Sequence, residues 1–557
     1  MMPVESEHSL NLCRHLQQAA LARPTDLAVA RQHRDGRFEE LTLAQLDKLS
    51  DRIALALEMH GIVAGMKAVL MVTPGPEFFA LTFALFKAGI IPVMADPGMG
   101  TANLKACLDK AAPDAFIGIP RAQLARRLLG WGKATIRRSV TVNGAGLWGG
   151  RALDQLLKRI PDDGHYCARV QPADALCAIL FTSGSTGEPK GVCYSHGMFE
   201  AQIRVLREDY GITPGEADLA TFPLFALFGP ALGMTSVIPD MDASRPIKAD
   251  PGKLLNAVER YQCSNLFLNP ALLAKFAAYS QSPEQLVRVR RQLCSVRRVI
   301  SAGAPADVNQ IARFCRLLPP GVQVFNSYGA TEALPVSRLG SDELLTTAAQ
   351  TDAGAGICVG NAVGVDIRIA PITQGQVQQA SQLRDAAPGE IGEILVRGPV
   401  VSPAYYDNPA ATARAKVADG KGFWHRMGDV GYLDDAGRLW MCGRLGHRVE
   451  GAGKVWFTLP CERILNTHPG VRRTALVGVD SGAGVQPVIC VELQPGADRP
   501  AVFRELATLA ESHEQTRGLT HFIVHPGFPM DVRHNAKIFR EKLALWTQKR
   551  GKWVWRS

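Results

Sequence analysis

The sequence predicts an α/β protein with a small α+β unit at its C-terminal end, on three observations. Through most of the chain, apolar strand-like runs alternate with helical stretches, the pattern of an α/β architecture. From about 363 to 397 the pattern changes to short alternating segments, VDIRIA and GEILVRG, around the turn signal Pro388–Gly389, which reads as antiparallel strands. Beyond 443, Gly446, Gly451 and Gly453 precede a fresh strand–helix–strand pattern.

The most apolar stretch, 68–94, is broken by Pro74, Pro76, Glu77, Lys87 and Pro92, and no run of 18 apolar residues occurs. No membrane span is expected. The run 175–182 (ALCAILFT) has the length and continuity of a buried strand, and the helical stretch 196–209 follows it. Further strands are expected at 265–268, 296–301 and 323–327, with a helix at 305–318. Residues 434–437 read as a hairpin turn. The division falls near Gly443–Arg444, giving units 1–443 and 444–557, the second with a strand at 474–479.

Composition narrows the class. At ~150 residues per domain, 557 residues suggest three or four domain-sized units. With 46% hydrophobic and 20% charged residues, and 53 glycines and 35 prolines, the chain is neither disordered nor collagen-like. Twelve cysteines are scattered singly with no CxxC pair, which argues against a zinc ribbon and for a reducing compartment. The first residues, MMPVESEHSLNLCRHL, lack a basic segment followed by an apolar core, so no signal peptide and a cytoplasmic location are expected. The net charge of +10 admits nucleic acid, an anionic membrane surface or acidic substrates. Two basic clusters stand out: Arg121, Arg126, Arg127, Lys133, Arg137 and Arg138 within 121–138, and five arginines within 288–298. Each reads as a solvated helix face, and an acidic protein or a membrane surface suits both better than DNA. No nucleic-acid-binding motif or aromatic-interleaved basic face is present, so no nucleic acid is expected.

The sharpest segment is 180–191, LFTSGSTGEPKG, between a strand pattern and a helix. Its glycines let the backbone approach an anion, its hydroxyls donate, and Lys190 brings a point charge. It is not a Walker A loop, because no Gly-Lys-Ser/Thr follows four spacers after a glycine.

The order T-S-G-S-T-G-x-P-K-G resembles the signature of the adenylate-forming superfamily, which includes acyl-CoA synthetases, peptide-synthetase adenylation domains and luciferases. Further segments resemble that family in the same order: SAGAP at 301–305, NSYGATE at 326–332, Asp429 in MGDVG, Arg444 in CGRLGHRVE, and Lys537 in DVRHNAKIFREKL. The resemblance implies ATP and Mg²⁺ as cofactors. It implies that Thr182, Ser183, Gly184, Ser185, Thr186, Gly187 and Lys190 cradle phosphates. Gly303, Ala304 and Pro305 would pack on adenine, with Tyr328 stacked on it beside Asn326 and Gly329. Thr331 would reach the α-phosphate, Glu332 and Thr186 would hold Mg²⁺, and Asp429 and Arg444 would hold the ribose. Lys537 would be the catalytic lysine bridging the substrate carboxylate and the α-phosphate. The implied fold is a large N-terminal domain of two α/β subdomains plus a β subdomain. A small mobile C-terminal domain follows, hinged near Gly446.

Several positions depart from the CoA-using members. Ala226 stands where His or an aromatic gates the acyl site, Gly446 where the hinge carries Asp or Lys, and Ala452–Gly453 where a Gly-Gly pair approaches CoA. Pro460 stands where Glu opens the next helix, although Glu462 remains. No CoA is therefore expected. The segments VMADPGMG (93–100), IPRAQLARRLLGWGK (119–133) and DVRHNAKIFREKL resemble the β-lactone synthetases of bacterial olefin biosynthesis. That likeness implies adenylation of a long-chain 2-alkyl-3-hydroxy acid with release of pyrophosphate. The substrate's own β-hydroxyl then displaces AMP and closes a β-lactone. It also implies assembly with other olefin-pathway enzymes and allows peripheral membrane contact. A long-chain fatty acyl-CoA synthetase and a non-catalytic acyl- or adenylate-binding protein are the alternative readings. His425, His447 and His534 lie near motif residues, but each reads as a structural histidine, and no base is assigned to the hydroxyl.

Overall fold

The structure, a computed structural model, describes residues 9–556 except 147–149, 183–188, 223–226, 281, 305–306, 374, 452, 483, 531–537 and 552–553. Ser183, Gly184, Ser185, Thr186, Gly187, Pro305 and Lys537, together with Ala226, Ala452 and His534, lie outside the described residues.

Two large sheets carry the first four-fifths of the chain. In the first, Leu176–Thr182, Ile91–Met94, Lys67–Met71, Ala115–Gly118, Arg138–Thr141 and Arg151–Ala152 run parallel in that spatial order. Lys190–Ser195 closes one edge antiparallel to Leu176–Thr182. The apolar stretch 68–94 is a strand, the helix Pro76–Lys87 and a second strand, parallel to the first. That helix is buried almost all round, down to Lys87, whose amine lies 2.5 Å from both Asp47 and Asp51.

The second sheet begins as a parallel array and ends as an antiparallel one. Leu27–Gln32, Thr235–Ile238, Ala217–Ala220, Asn265–Phe267, Arg298–Ala302 and Gln323–Ala330 run parallel. From Ala333–Leu339 onward the pairing is antiparallel, through Ile357–Ala362, Leu439–Arg444, Gly422–Leu433, Gly392–Arg397 and Asp366–Ala370. The antiparallel reading of 363–397 holds, with Asp366 opposite Arg397. So does the turn at 434–437, where the Gly437 N–H donates to the Asp434 carbonyl.

Two expected bounds shift for local reasons. The helix expected over 305–318 is Val308–Cys315, started by the Asp307 side chain accepting from the Gln310 N–H. The strand expected to end at 327 runs on to Ala330, because it turns directly into its antiparallel partner.

After Arg444 the chain builds separate sheets. Val449–Gly451 pairs with Lys454–Trp456, and Val471–Asp480, Val485–Leu493, His521–Val524 and Trp555–Arg556 form a four-stranded sheet. Leu476, Ile489, Val491, Phe503, Leu506 and Phe522 make a core of their own there. The basic cluster 288–298 is not a uniform solvated face. Arg298 is buried and grips Glu216 through both guanidinium nitrogens at 2.6 and 3.0 Å.

Candidate active site

The carboxyl ends of Leu176–Thr182, Arg298–Ala302 and Gln323–Ala330 open onto one cavity of about 2140 Å³, the usual place for a ligand on open parallel sheets. Thr182, Lys190, Gly303, Gly329, Thr331, Glu332 and Arg444 all line it. Tyr328 and Asp429 stand just behind that wall, held to each other and, through Asp429, to Arg444. Asn326 follows from the same strand, its Nδ2 buried and without a partner among the described residues. Ala304 follows Gly303 in the turn after Arg298–Ala302.

Asp429 is a fixed acceptor. Gly422–Leu433 and Leu439–Arg444 pair so that Asp429 lies opposite Arg444. Gly428 precedes it at φ +68°, a conformation that only glycine takes at no cost. Arg444 Nη1 is 3.2 Å from Asp429 Oδ1 and also donates to the Met427 carbonyl. The Tyr328 hydroxyl donates to Asp429 Oδ2 at 2.7 Å. Asp429 raises the guanidinium pKa of Arg444, and burial pushes that of Tyr328 up, so both stay protonated. A buried carboxylate held this way suits a pair of vicinal hydroxyls. Tyr328, expected only as an adenine platform, thus also orients Asp429.

Glu332 is the second anchored carboxylate. The Tyr405 hydroxyl donates to its Oε1 at 2.7 Å, and Ser402 N–H donates to its carbonyl. The Lys190 ammonium lies 5.0 Å from the centre of the Tyr405 ring. The carbonyl of Thr331 accepts from the Tyr194 hydroxyl at 2.7 Å. Gly329 admits no side chain, since a Cβ there would come within 2.8 Å of the Ala333 carbonyl oxygen.

Beside this carboxylate lies a pair of bases. The Lys416 amine donates to the Ser402 carbonyl. Its pKa is pulled down to about 7, chiefly by burial, with Glu332 pulling the other way. His425 lies opposite Lys416 in the antiparallel pair and lines the cavity. Burial first, then Lys416, hold it well below its ordinary pKa, so it is neutral. Its Nδ1 has no partner among the described residues, so His425 is not the fully satisfied structural histidine that was expected. His447 is bonded to Glu541 at 3.0 Å.

No motif points to Tyr405 or Lys416. Each meets Glu332 only because 401–419 folds back across the strand ends, and no local spacing records that. Glu462 is buried and bridges Arg540 and the Leu476 N–H, which makes it part of the C-terminal scaffold.

The residues present fit Mg²⁺ carried in with a triphosphate. Among the described residues no three His, Cys, Asp or Glu come together to hold a metal alone. A single carboxylate such as Glu332 beside phosphate oxygens is the ordinary Mg²⁺ environment. The same cavity is also lined by the apolar side chains of Phe78, Met94, Phe199, Phe222, Phe228 and Phe267.

The family model described as AMP-binding enzyme matches residues 16–406. The chain is 49% identical over 516 residues to an olefin beta-lactone synthetase of Xanthomonas campestris pv. campestris, covering 91% of this chain and 90% of that one. It is 46% identical over 550 residues to an olefin beta-lactone synthetase of Stenotrophomonas maltophilia, covering 96% and 98%. Its fold matches the amide bond synthetase McbA from Marinactinospora thermotolerans with a TM-score of 0.77 at 23% identity, over 96% of this chain and 99% of that one.

Proposed function

The chain belongs to the AMP-binding enzyme family, and on that premise we propose that it is an ATP-dependent β-lactone synthetase of olefin biosynthesis. The observation that carries this reading is likeness along nearly the whole chain, at 46% and 49% identity, to two olefin β-lactone synthetases. The substrate is a long-chain 2-alkyl-3-hydroxy acid. A carboxylate oxygen first bonds to the α-phosphorus of ATP, and pyrophosphate leaves. The β-hydroxyl oxygen then bonds to the acyl carbon, its proton passes to a base, and AMP leaves with the electrons of the broken acyl–oxygen bond. The nucleophile is already part of the bound molecule, so orientation within the cavity supplies much of the second step's rate. A cavity whose lining includes both Lys190 and Glu332 and the apolar Phe78, Met94, Phe199, Phe222, Phe228 and Phe267 supports this reading.

In this reading Thr182, Lys190 and the glycine-rich loop between them hold the phosphates, and Asp429 and Arg444 hold the ribose. Mg²⁺, when bound, offsets triphosphate charge. Glu332 through its carboxylate and Thr186 through its hydroxyl would hold it, while Lys537 bridges the reacting anions. The two domains divide at 443/444 with a hinge near Gly446, and CoA is not a substrate.

The test is to incubate the protein with ATP, Mg²⁺ and a 2-alkyl-3-hydroxy acid, with and without CoA. β-Lactone, AMP and pyrophosphate in equal amounts without CoA are expected. A product that forms only with CoA identifies an acyl-CoA synthetase instead. No pyrophosphate from any acid identifies a binding protein.

A further inference from the structure

The helix Pro120–Leu129 is inside out. Its buried face carries Ala122 and Gln123, and Gln123 is fully engaged, donating to the Val140 carbonyl and accepting from the Ser139 hydroxyl, both at 2.9 Å. Arg126 also turns inward, 5.4 Å from the centre of the Phe116 ring. The leucines point the other way: Leu124 is 41% exposed, Leu128 76% and Leu129 41%. Single exposed leucines are common, but three on one ten-residue helix form a patch. Arg121 and Arg127 are exposed on the same helix, and Lys133, Arg137 and Arg138 are exposed just beyond it. No Asp or Glu occurs between Asp114 and Asp154.

We propose that this helix docks on the surface of an anionic phospholipid bilayer, its leucines in the headgroup–acyl boundary and its basic residues against lipid phosphates. Leucine interleaved with unneutralised arginine is the pattern of an interfacial helix, and the absence of acid over this stretch is the charge complement of that surface. A ten-residue helix is only about 15 Å long, so the contact is shallow, reversible and salt-sensitive. Its place in the fold gives it a use. Ile119, the residue before the helix, and Arg121, in its first turn, both line the wall of the large cavity. Docking therefore brings the cavity to the lipid surface. The use as an entry for a two-chain acid rests on the function proposed above; the binding does not.

The test is sedimentation of the full chain with vesicles, without ATP or acid. One set contains phosphatidylglycerol and phosphatidylcholine, the other phosphatidylcholine alone. The protein is expected to pellet with the anionic set only, and less as salt rises. Leu124→Ser with Leu128→Ser should lower the bound fraction roughly tenfold. Melting temperature and pyrophosphate release on a short-chain acid should stay at wild-type values. Arg127→Glu with Lys133→Glu, which leaves the leucines in place, should weaken binding as well. Equal pelleting with both vesicle sets, or full binding by either double variant, overturns the proposal. So does a dimer in sedimentation velocity that the leucine variant dissolves, because the face then belongs to a second copy.

Discussion

Glu332 and Asp429 are each oriented by a tyrosine hydroxyl, and the two tyrosines differ in how visible they are. Tyr328 lies four positions from Glu332, inside a motif whose residue order points to a nucleotide. Tyr405 lies 73 positions from Glu332 and belongs to no pattern of spacing. Both carboxylates fall in segments that the sequence singles out, Glu332 in the turn after Gln323–Ala330 and Asp429 within Gly422–Leu433. The groups that aim them need not, because any segment that folds past can supply them. Tyr405→Phe keeps the ring beneath Lys190 and removes only the hydroxyl. A hydrogen bond to a charged group contributes about 1.5–3 kcal/mol, so pyrophosphate release should fall about tenfold or more. The loss should lessen at high Mg²⁺ if Tyr405 orients Glu332 toward the cation, and titrating Mg²⁺ against rate in both proteins checks this. A loss that is independent of Mg²⁺ assigns Tyr405 elsewhere.

Within the second sheet the parallel strands carry a buried polar row. Glu216 precedes one strand and Arg298 opens another, while Asp218 and Asn265 are directly paired on adjacent strands. Burial acts to raise the Glu216 pKa, but Arg298, Ser264 and the Thr213 N–H outweigh it and bring it down to about 2. Asp218 has only the Asn265 amide and the charge of Arg298 to set against burial. Burial lifts it to about 7 against the Asn265 amide, and Asn265 Oδ1 has no partner among the described residues, which suits a protonated Asp218. The folded state thus holds this proton more tightly than the unfolded chain does. Its contribution to stability is full below pH ~4 and is lost as pH rises toward 7, a change on the order of 4 kcal/mol. Asp218→Asn cannot ionise, so its stability relative to wild type should climb between pH 4.5 and 7.5. Urea unfolding at both values measures this, and a constant difference sinks the assignment. The sequence shows these strands well as apolar runs, yet groups Arg298 with its exposed neighbours. Strand alternation turns one arginine inward, and a count of charges cannot register that.

Over the whole molecule, the α/β class, the antiparallel stretch at 363–397 and the separate C-terminal sheet are all legible, because each rests on periodicity across many residues. Membership of strands in sheets is not legible, since Leu27–Gln32 joins the second sheet rather than the first, which lies nearer in sequence. The two-domain reading makes its own prediction at Gly446. A Cβ there would meet nothing within 4 Å, and the residue is not left-handed, so this conformation has no need of glycine. Gly446→Ala should melt like wild type. If 444–557 swings between half-reactions, the variant should slow lactone formation more than pyrophosphate release, and parallel time courses of both products decide it.

The place of Leu27–Gln32 also shapes how the chain must be made. On one side this strand pairs at once with Phe38–Thr42 as a hairpin, but its neighbour on the other side is Thr235–Ile238, with Val29 opposite Ser236, so about two hundred residues leave the ribosome before that edge is covered. Contacts this distant in sequence close slowly. Until they do, the nascent chain carries the hairpin of Leu27–Gln32 and Phe38–Thr42 with one edge uncovered, ahead of a first sheet that can assemble without it. Synthesis and folding are thus out of order here, and a polypeptide cut short before 235 would leave that edge open to any other strand it meets.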